Sequence, residues 1–216
     1  MNIVSFVSQK GGVGKSSLAR LLAVHAANKG RKVLIADFDL EQLSCVEWSA
    51  QRLRNGIEPE IDARPFKSLK KLRKLDTDVD LVIVDTRGLA DELTQDISEE
   101  SDLVFLPTGT SMDDLRPTLA LARKLGRSPR LSNKIHLILS RIGRSDKQLN
   151  DAKIIIDEAG FPVLSAIWPY RDGFVSDFDA GRAGSETTNP HLRAAAESME
   201  AQMFKLTLQA RVKHST

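Results

Sequence analysis

A single cysteine, Cys45, occurs among the 216 residues of the chain. One thiol can neither close an internal disulfide nor supply a CxxC metal or iron–sulfur site, and such sparing use suits a reducing compartment. A cytoplasmic protein is expected. Long uncharged runs are missing too: nowhere does the sequence approach the roughly 18 apolar residues of a membrane-spanning helix. The opening run Asn2 to Val7 is too short for a signal peptide and leads straight into a glycine turn, so no membrane association is expected. Nor is there a charge surplus, because 31 Lys+Arg against 29 Asp+Glu leave only +2, a balance that by itself implies no partner. Internal repeats and low-complexity segments are absent from the sequence. With 41% hydrophobic residues, a chain of this length suits one well-buried core. Residues 1–216 are therefore read as a single domain, with the tail Arg211 to Thr216 expected to fray.

Short β-rich runs alternate with helical patterns. Asn2 to Val7, Lys32 to Asp37, Leu81 to Asp85, Leu103 to Pro107, Ile135 to Ser140 and Val163 to Trp168 read as strands, several of them continuously apolar as strands buried on both faces are. Leu18, Leu21, Leu22 and Ala26, and again Leu115, Leu119, Ala122 and Leu125, have the spacing of crossover helices. Leu192, Ala196, Met199, Met203 and Leu206 mark one face of a last amphipathic helix. The alternation predicts an α/β fold with a doubly wound, mostly parallel sheet and helices on both faces.

The first strand runs into SQKGGVGKSS, Ser8 to Ser17. Glycines let backbone N–H groups turn inward on an anion, and Gly11, Gly12 and Gly14 supply them. A helix opening near Lys15 aims its positive end at phosphates, Lys15 reaches the terminal ones, and the Ser16 hydroxyl suits an accompanying Mg²⁺. The bland alternative is a glycine-rich βα turn with solvated lysines; a strand before and a helix after favour a phosphate loop. The usual G-x-x-x-x-G-K-[ST] pattern fails, because Gln9 stands where its first glycine belongs. What stands instead is K-G-G-V-G-K-S, with the additional Lys10.

That segment resembles the deviant Walker A motif of the ParA/MinD family of P-loop ATPases. The resemblance covers most of the chain; it is specific at Lys10 to Ser17, good at Asp37, Asp39 and Asp85, and loose after residue 100. It implies ATP and Mg²⁺ as cofactors, with Lys10, Gly11, Gly12, Val13, Gly14, Lys15, Ser16 and Ser17 around the nucleotide. It further implies that Lys10 reaches across a homodimer to the partner's phosphates while Lys15 serves those of its own chain. Burying two nucleotides between two subunits calls for cations from both sides.

VLIADFDLEQ places Asp37 and Asp39 at the end of the second strand. The resemblance implies Asp37 near Mg²⁺ and its waters, and Asp39 orienting the attacking water, so that Lys10, Lys15 and Asp39 form the catalytic set. Where the family continues D-x-D-P-Q, this chain has Leu40, Glu41 and Gln42 and one residue more before Trp48, which reads as a packing residue. DLVIVDTRG, Asp80 to Gly88, reads as a Walker B strand whose Asp85 holds Mg²⁺ through water. Arg87 replaces the family's proline, and the residues leave open a charge clamp, a subunit contact or a surface residue. LPTGTSMDDL resembles the family's P-x-x-x-S-x-x-D, with Ser111 as an N-cap. Ser140 stands where the family often has an adenine-touching asparagine. WPYRDGF and AGRAGSE resemble its late P-x-R segment and A-x-x-x-G-x-x-x-x-E ending, with Pro169 near the base pocket.

Between Leu115 and Ser145 there is no acid, yet Arg116, Arg123, Lys124, Arg127, Arg130, Lys134, Arg141 and Arg144 occur. A block of one sign is the footprint of sequence-independent contact with phosphate backbones, and Arg116, Arg123, Lys124, Arg127 and Arg130 are the candidate DNA contacts. Its ordinary alternative is a solvated helix face. The reading is an ATP-dependent, dimerising switch that binds DNA nonspecifically in the cytoplasm at the nucleoid. In the family it resembles, such a switch drives plasmid or chromosome partition or positions a cargo, with hydrolysis stimulated by a ParB-like or adaptor protein. The phosphate loop opens so early that small members without a helix-turn-helix are the nearer match. Alternatives are a membrane-associated MinD-like ATPase, of whose C-terminal helix FKLTLQARVK is a poor version, and a metabolic P-loop enzyme.

Overall fold

The structure, a computed structural model, describes residues 1–74, 78–89 and 91–212. The fraying expected of residues 211–216 falls outside them, apart from the helical backbone of 211 and 212. In chain order the elements are β1 (Asn2–Phe6), α1 (Lys15–Asn28), β2 (Val33–Asp37), α2 (Ser44–Arg54), β3 (Asp62–Pro65), α3 (Leu69–Arg73), β4 (Leu81–Asp85) and α4 (Glu92–Glu100). There follow β5 (Leu103–Thr108), α5 (Met112–Gly126), β6 (Ile135–Ile142), α6 (Asp146–Glu158), β7 (Trp168–Pro169), α7 (Asp172–Asp179) and α8 (Pro190–Val212). The seven strands form one sheet in the order β3-β2-β4-β1-β5-β6-β7, and every pairing described is parallel.

Alternate residues of the central strands face opposite layers. Val4, Phe6, Ile35, Ile83 and Phe105 join the core under α1, α2 and α8, where Leu18, Leu21, Leu22 and Ala26 are fully buried. Leu34, Ala36, Val82 and Val84 pack against α3 and α4, and Val104, Leu106 and Leu137 against Leu115, Leu119, Ala122 and Leu125 of α5. Both helical stripes read from the sequence thus meet the sheet, as apolar faces must.

Two strands depart from the sequence reading. β3 has no apolar run, because as an edge strand it pairs only with β2 and leaves most of its surface to solvent; its terminal Pro65 is tolerated there. The run from Val163 to Trp168 is not one strand. It touches β6 at Leu137 and Val163, leaves, and returns as the two-residue β7, because the β6–β7 register shifts between Ser140 and Ile142. At that irregularity Arg141 takes a left-handed φ of 56°.

The late turn is tied to α2 by Arg52, whose side chain is 1% exposed. Its guanidinium donates from Nη1 to Glu186 Oε2 (2.6 Å) and from Nη2 to Glu186 Oε1 (2.7 Å), and Nε donates to the Pro59 carbonyl at 2.7 Å. Gly181, at φ 80°, lies so close that a Cβ there would stand 2.5 Å from the Arg52 backbone nitrogen. Trp48 closes the cluster, its ring 5.5 Å from the Arg52 guanidinium carbon and its Nε1 donating to the Arg182 carbonyl, so it packs as expected. Removing one member of a buried pair strands the other charge. Arg52→Met is expected to cost about 3–5 kcal/mol in denaturant unfolding, through the unpaired charge it leaves on the largely buried Glu186.

Candidate nucleotide and metal site

Parallel strand order brings the ends of β1, β2 and β4 together at one edge of the sheet, where ligands bind in open α/β folds. Register then decides the chemistry: Asp37 and Asp85 are direct cross-strand neighbours, and Asp85 also stands opposite Phe6 at the mouth of the phosphate loop.

In that loop Gly12 and Gly14 take left-handed φ values of 73° and 96°, which only glycine adopts at little cost. Gly14 has a second constraint, since a Cβ there would stand 2.6 Å from Ser140 Oγ. α1 starts immediately afterwards with no acid in its first turn, leaving its positive end free for an anion. Val13 is buried, Gly11 and Gly12 are exposed, and Ser16 and Ser17 lie half-buried in the first turn. The two lysines are held differently. Lys15 is 7% exposed and its Nζ donates back to the Lys10 carbonyl at 3.3 Å; burial pushes its amine pKa down, against the pull of Asp85 and Asp39. Lys10 Nζ lies at the surface, 2.8 Å from Asp114 Oδ1. Asp114 belongs to the first turn of α5, whose N-cap is Ser111 as expected. Partial burial would raise this carboxyl, yet hydrogen bonds from Lys10 and Ser111 hold it below its ordinary value.

Asp37 is fully buried. Its Oδ1 accepts the Asp39 N–H at 3.0 Å, and its Oδ2 accepts those of Cys45 (2.9 Å) and Val46 (3.4 Å), so it caps α2 from the preceding strand. Burial first, and the neighbouring Asp85 charge second, push its pKa up to about 6. Asp85, also buried, is raised by desolvation, while Ser16, Cys45 and Lys15 pull it back. Asp39 is half-buried at the rim, its Oδ1 accepting the Gln42 N–H at 3.2 Å. The longer loop of Leu40, Glu41 and Gln42 closes on Asp39 and enters α2 through Leu43 at φ 47°.

The sequence reading gave Cys45 no part here. Its Sγ nevertheless donates to Asp85 Oδ2 at 3.2 Å, and with Asp37 and Asp85 it offers ligand atoms all within 4.8 Å of one another. Burial and Asp85 hold that thiol protonated. Asp85 Oδ1 is buried with no hydrogen-bond partner among the described residues. Two desolvated carboxylates, of which Asp85 lies in the field of Lys15 and beside the Ser16 hydroxyl and has an orphaned oxygen, suit a hard divalent cation such as Mg²⁺.

Arg141 leaves the basic stretch in which it was counted. Its Nη1 donates to the Gly12 carbonyl at 2.6 Å and its guanidinium covers the Tyr170 ring at 4.6 Å. Only its fold position, at a left-handed residue in a register shift, puts it there. A small cleft beside it is lined by Gly14, Ser17, Trp168, Pro169 and Tyr170, which brings Pro169 to the phosphate loop. Arg116, Arg123, Lys124 and Arg127 are exposed, at the i, i+7, i+8, i+11 spacing of one helix face on α5 and its C-cap, and exposed Arg130 continues them in the next turn.

The chain was compared with known proteins. A family model for the CobQ/CobB/MinD/ParA nucleotide binding domain matches residues 4–182. Protein ParA of Rhizobium radiobacter is 31% identical over 107 residues, so that the match covers 50% of this chain and only 48% of that relative. Protein virC1 of Rhizobium rhizogenes is 26% identical across 95% of this chain and 94% of its own length. Among solved structures, the septum site-determining protein MinD of Pyrococcus horikoshii, complexed with Mg-ADP, superposes with a TM-score of 0.77 at 19% identity, covering 97% of this chain and 98% of that one. At such identity it shows a shared fold.

The raised pKa of Asp37 has a sign that can be measured. A fold that favours the protonated acid gains stability fully present below its ordinary value of 3.8, and loses it as pH rises through about 6. Metal-free Asp37→Asn protein is therefore expected to be about 1–3 kcal/mol more stable than wild type near neutral pH and equal to it near about pH 4. Added Mg²⁺ should narrow the gap by stabilising wild type alone, in thermal melts across pH.

Proposed function

Since the chain belongs to the CobQ/CobB/MinD/ParA nucleotide-binding domain family, we propose that it is an ATP-driven dimerisation switch that binds DNA in its dimeric state and lets go after hydrolysis. The observation that carries this reading is the unequal holding of the two loop lysines. Lys15 is buried beneath the loop on a single carbonyl, a contact that a phosphate oxygen replaces with a stronger, charge-assisted one. Lys10 is presented at the surface on one ion pair with Asp114, where a second copy's phosphates are within reach of a flexible point charge.

In each subunit the loop N–H groups and the start of α1 bind the phosphates, and the cleft at Pro169 takes the base. Ser16, Asp37 and Asp85 hold Mg²⁺, the acids through water; when bound, the ion neutralises charge on the phosphates and lowers the cost of the bond-breaking step. Asp39, at the rim and tethered by the Gln42 N–H, orients the attacking water, because phosphoryl transfer depends on alignment and charge neutralisation. Lys10 from the partner completes the charge on the opposite side. The exposed basic face of α5, with Arg116, Arg123, Lys124, Arg127 and Arg130, meets DNA phosphates without reading sequence. A ParB-like or cargo-adaptor protein stimulates turnover, and the protein works in the cytoplasm at the nucleoid, in plasmid or chromosome partition or in cargo positioning.

The membrane-associated reading finds less support. Ala196, Met199 and Met203 of α8 are fully buried against the sheet, and Phe204 and Leu206 pack on the same core, so the apolar residues an interfacial helix would present are already used.

Size determination with a hydrolysis-resistant ATP analogue tests the switch. Wild type is expected as a dimer, Lys10→Ala as a nucleotide-bound monomer, and Asp39→Ala as a persistent dimer with ATP whose turnover falls by about a hundredfold; a monomeric wild type removes the reading. Replacing Arg123, Lys124 and Arg127 together by alanine should weaken DNA binding and lower the slope of log K against log salt by about 2 to 3, with nucleotide affinity unchanged. DNA binding that survives intact clears α5 of that role.

A further inference from the structure

The loop leaving β4 is anchored on both sides of Arg87. On one side, Thr86 Oγ1 donates to the Phe6 carbonyl at 2.8 Å and ties the loop to the end of β1. On the other, Gly88 lies against the phosphate loop itself: a Cβ there would stand 2.6 Å from Gly11 N and 2.9 Å from the Lys10 carbonyl oxygen. These anchors hold the backbone of Arg87 beside the phosphate loop, leaving its side chain free to turn.

Its present contacts leave it incompletely used. Arg87 Nη2 donates to Asp91 Oδ2 at 2.7 Å, while Nε is buried with no acceptor among the described residues. A buried donor without a partner costs free energy that an incoming anion recovers. Asp91 does not depend on the arginine either, because its Oδ1 already accepts the Thr94 N–H at 2.9 Å as the N-cap of α4. The Asp91 hydrogen bond is the main influence holding Arg87 charged, and the charges of Glu41 and Asp39 add to it, which sets the guanidinium in the field of the acid assigned to the attacking water. Glu41 belongs to the very stretch in which the loop after β2 departs from the family pattern.

We propose that Arg87 is a γ-phosphate-reading residue, stored on Asp91 while no triphosphate is bound and turned onto the γ-phosphoryl oxygens beside Asp39 when ATP enters. The inference rests on the ATPase reading above and adds to it a cation from the subunit's own chain. A guanidinium suits the task, because its planar fork matches two oxygens of one phosphoryl group and it is desolvated more readily than an ammonium. Charge on the transferring group spreads over its equatorial oxygens, and an arginine placed there stabilises the transition state. The same contact tells triphosphate from diphosphate, since ADP has no group for Arg87 to hold.

The test compares affinity for a hydrolysis-resistant ATP analogue with affinity for ADP, by calorimetry on the full chain. Arg87→Gln is expected to weaken the analogue between about ten- and a hundredfold, to leave ADP binding unchanged, and to lower turnover at saturating ATP. Arg87→Lys, a point charge without the fork, should restore little of the loss. Asp91→Asn keeps an N-cap acceptor but releases the arginine, and should tighten the analogue without affecting ADP. ADP binding reports that each variant is folded. An unchanged ratio of analogue to ADP affinity in Arg87→Gln, or an Asp91→Asn variant that behaves as wild type, overturns the proposal and leaves Arg87 as a surface ion pair. Wild type that binds neither nucleotide overturns the ATPase reading and this inference with it.

Discussion

Two carboxylates that share a register position organise this molecule. Asp37 and Asp85 end adjacent parallel strands, are withdrawn from water, and repel each other across the sheet. Lys15, itself desolvated, is the lysine whose charge acts on Asp85 there. A buried excess of negative charge is tolerated only if protons or cations relieve it. The fold meets part of the need with backbone, aiming the Asp39, Cys45 and Val46 N–H groups at Asp37 and so making one acid the cap of α2. The remainder is negative charge of the kind a divalent ion would relieve.

Around that pocket the positive charges are held in reserve. Lys15 rests on a carbonyl, Lys10 on Asp114, Arg141 on the Gly12 carbonyl and Arg87 on Asp91. The two contacts to carbonyls are weaker than the charge-assisted bonds a triphosphate offers, and the two to carboxylates are partly exposed ion pairs. The partners belong to three parts of the chain: the loop itself, α5, and the N-cap of α4. In the switch proposed above, nucleotide drawing these side chains inward would act on the surfaces flanking the loop as well as on the loop, the coupling that a second copy of the chain would read.

The legibility of the sequence followed the locality of the physics. The glycine turn was legible because its conformation lies in backbone dihedrals and in the helix start beside it: Gly12 and Gly14 do adopt left-handed φ, and α1 does begin at Lys15. Ser111 could be read as an N-cap because capping involves residues a few positions apart. Continuous apolar runs identified the central strands, since burial on both faces leaves a pattern. β3 left none, because an edge strand answers to solvent along most of its length. Val163 to Trp168 read as one strand because its composition is that of a strand; a register shift in its neighbour β6 broke the pairing.

What the sequence determined by itself, then, was the fold class, the glycine turn with its two lysines, and the acids at the strand ends, each encoded in residues adjacent along the chain. The tertiary structure alone decided who meets whom. Cys45 meets both Asp37 and Asp85 because β2 and β4 are neighbours in register. Lys10 lies on Asp114, and Arg141 on the loop rather than on the basic face, because β5 and β6 flank β1 on the side away from those acids. Such contacts join residues as many as 129 positions apart. The free energy that makes them comes from strand order and register, quantities that no local pattern of residue types records.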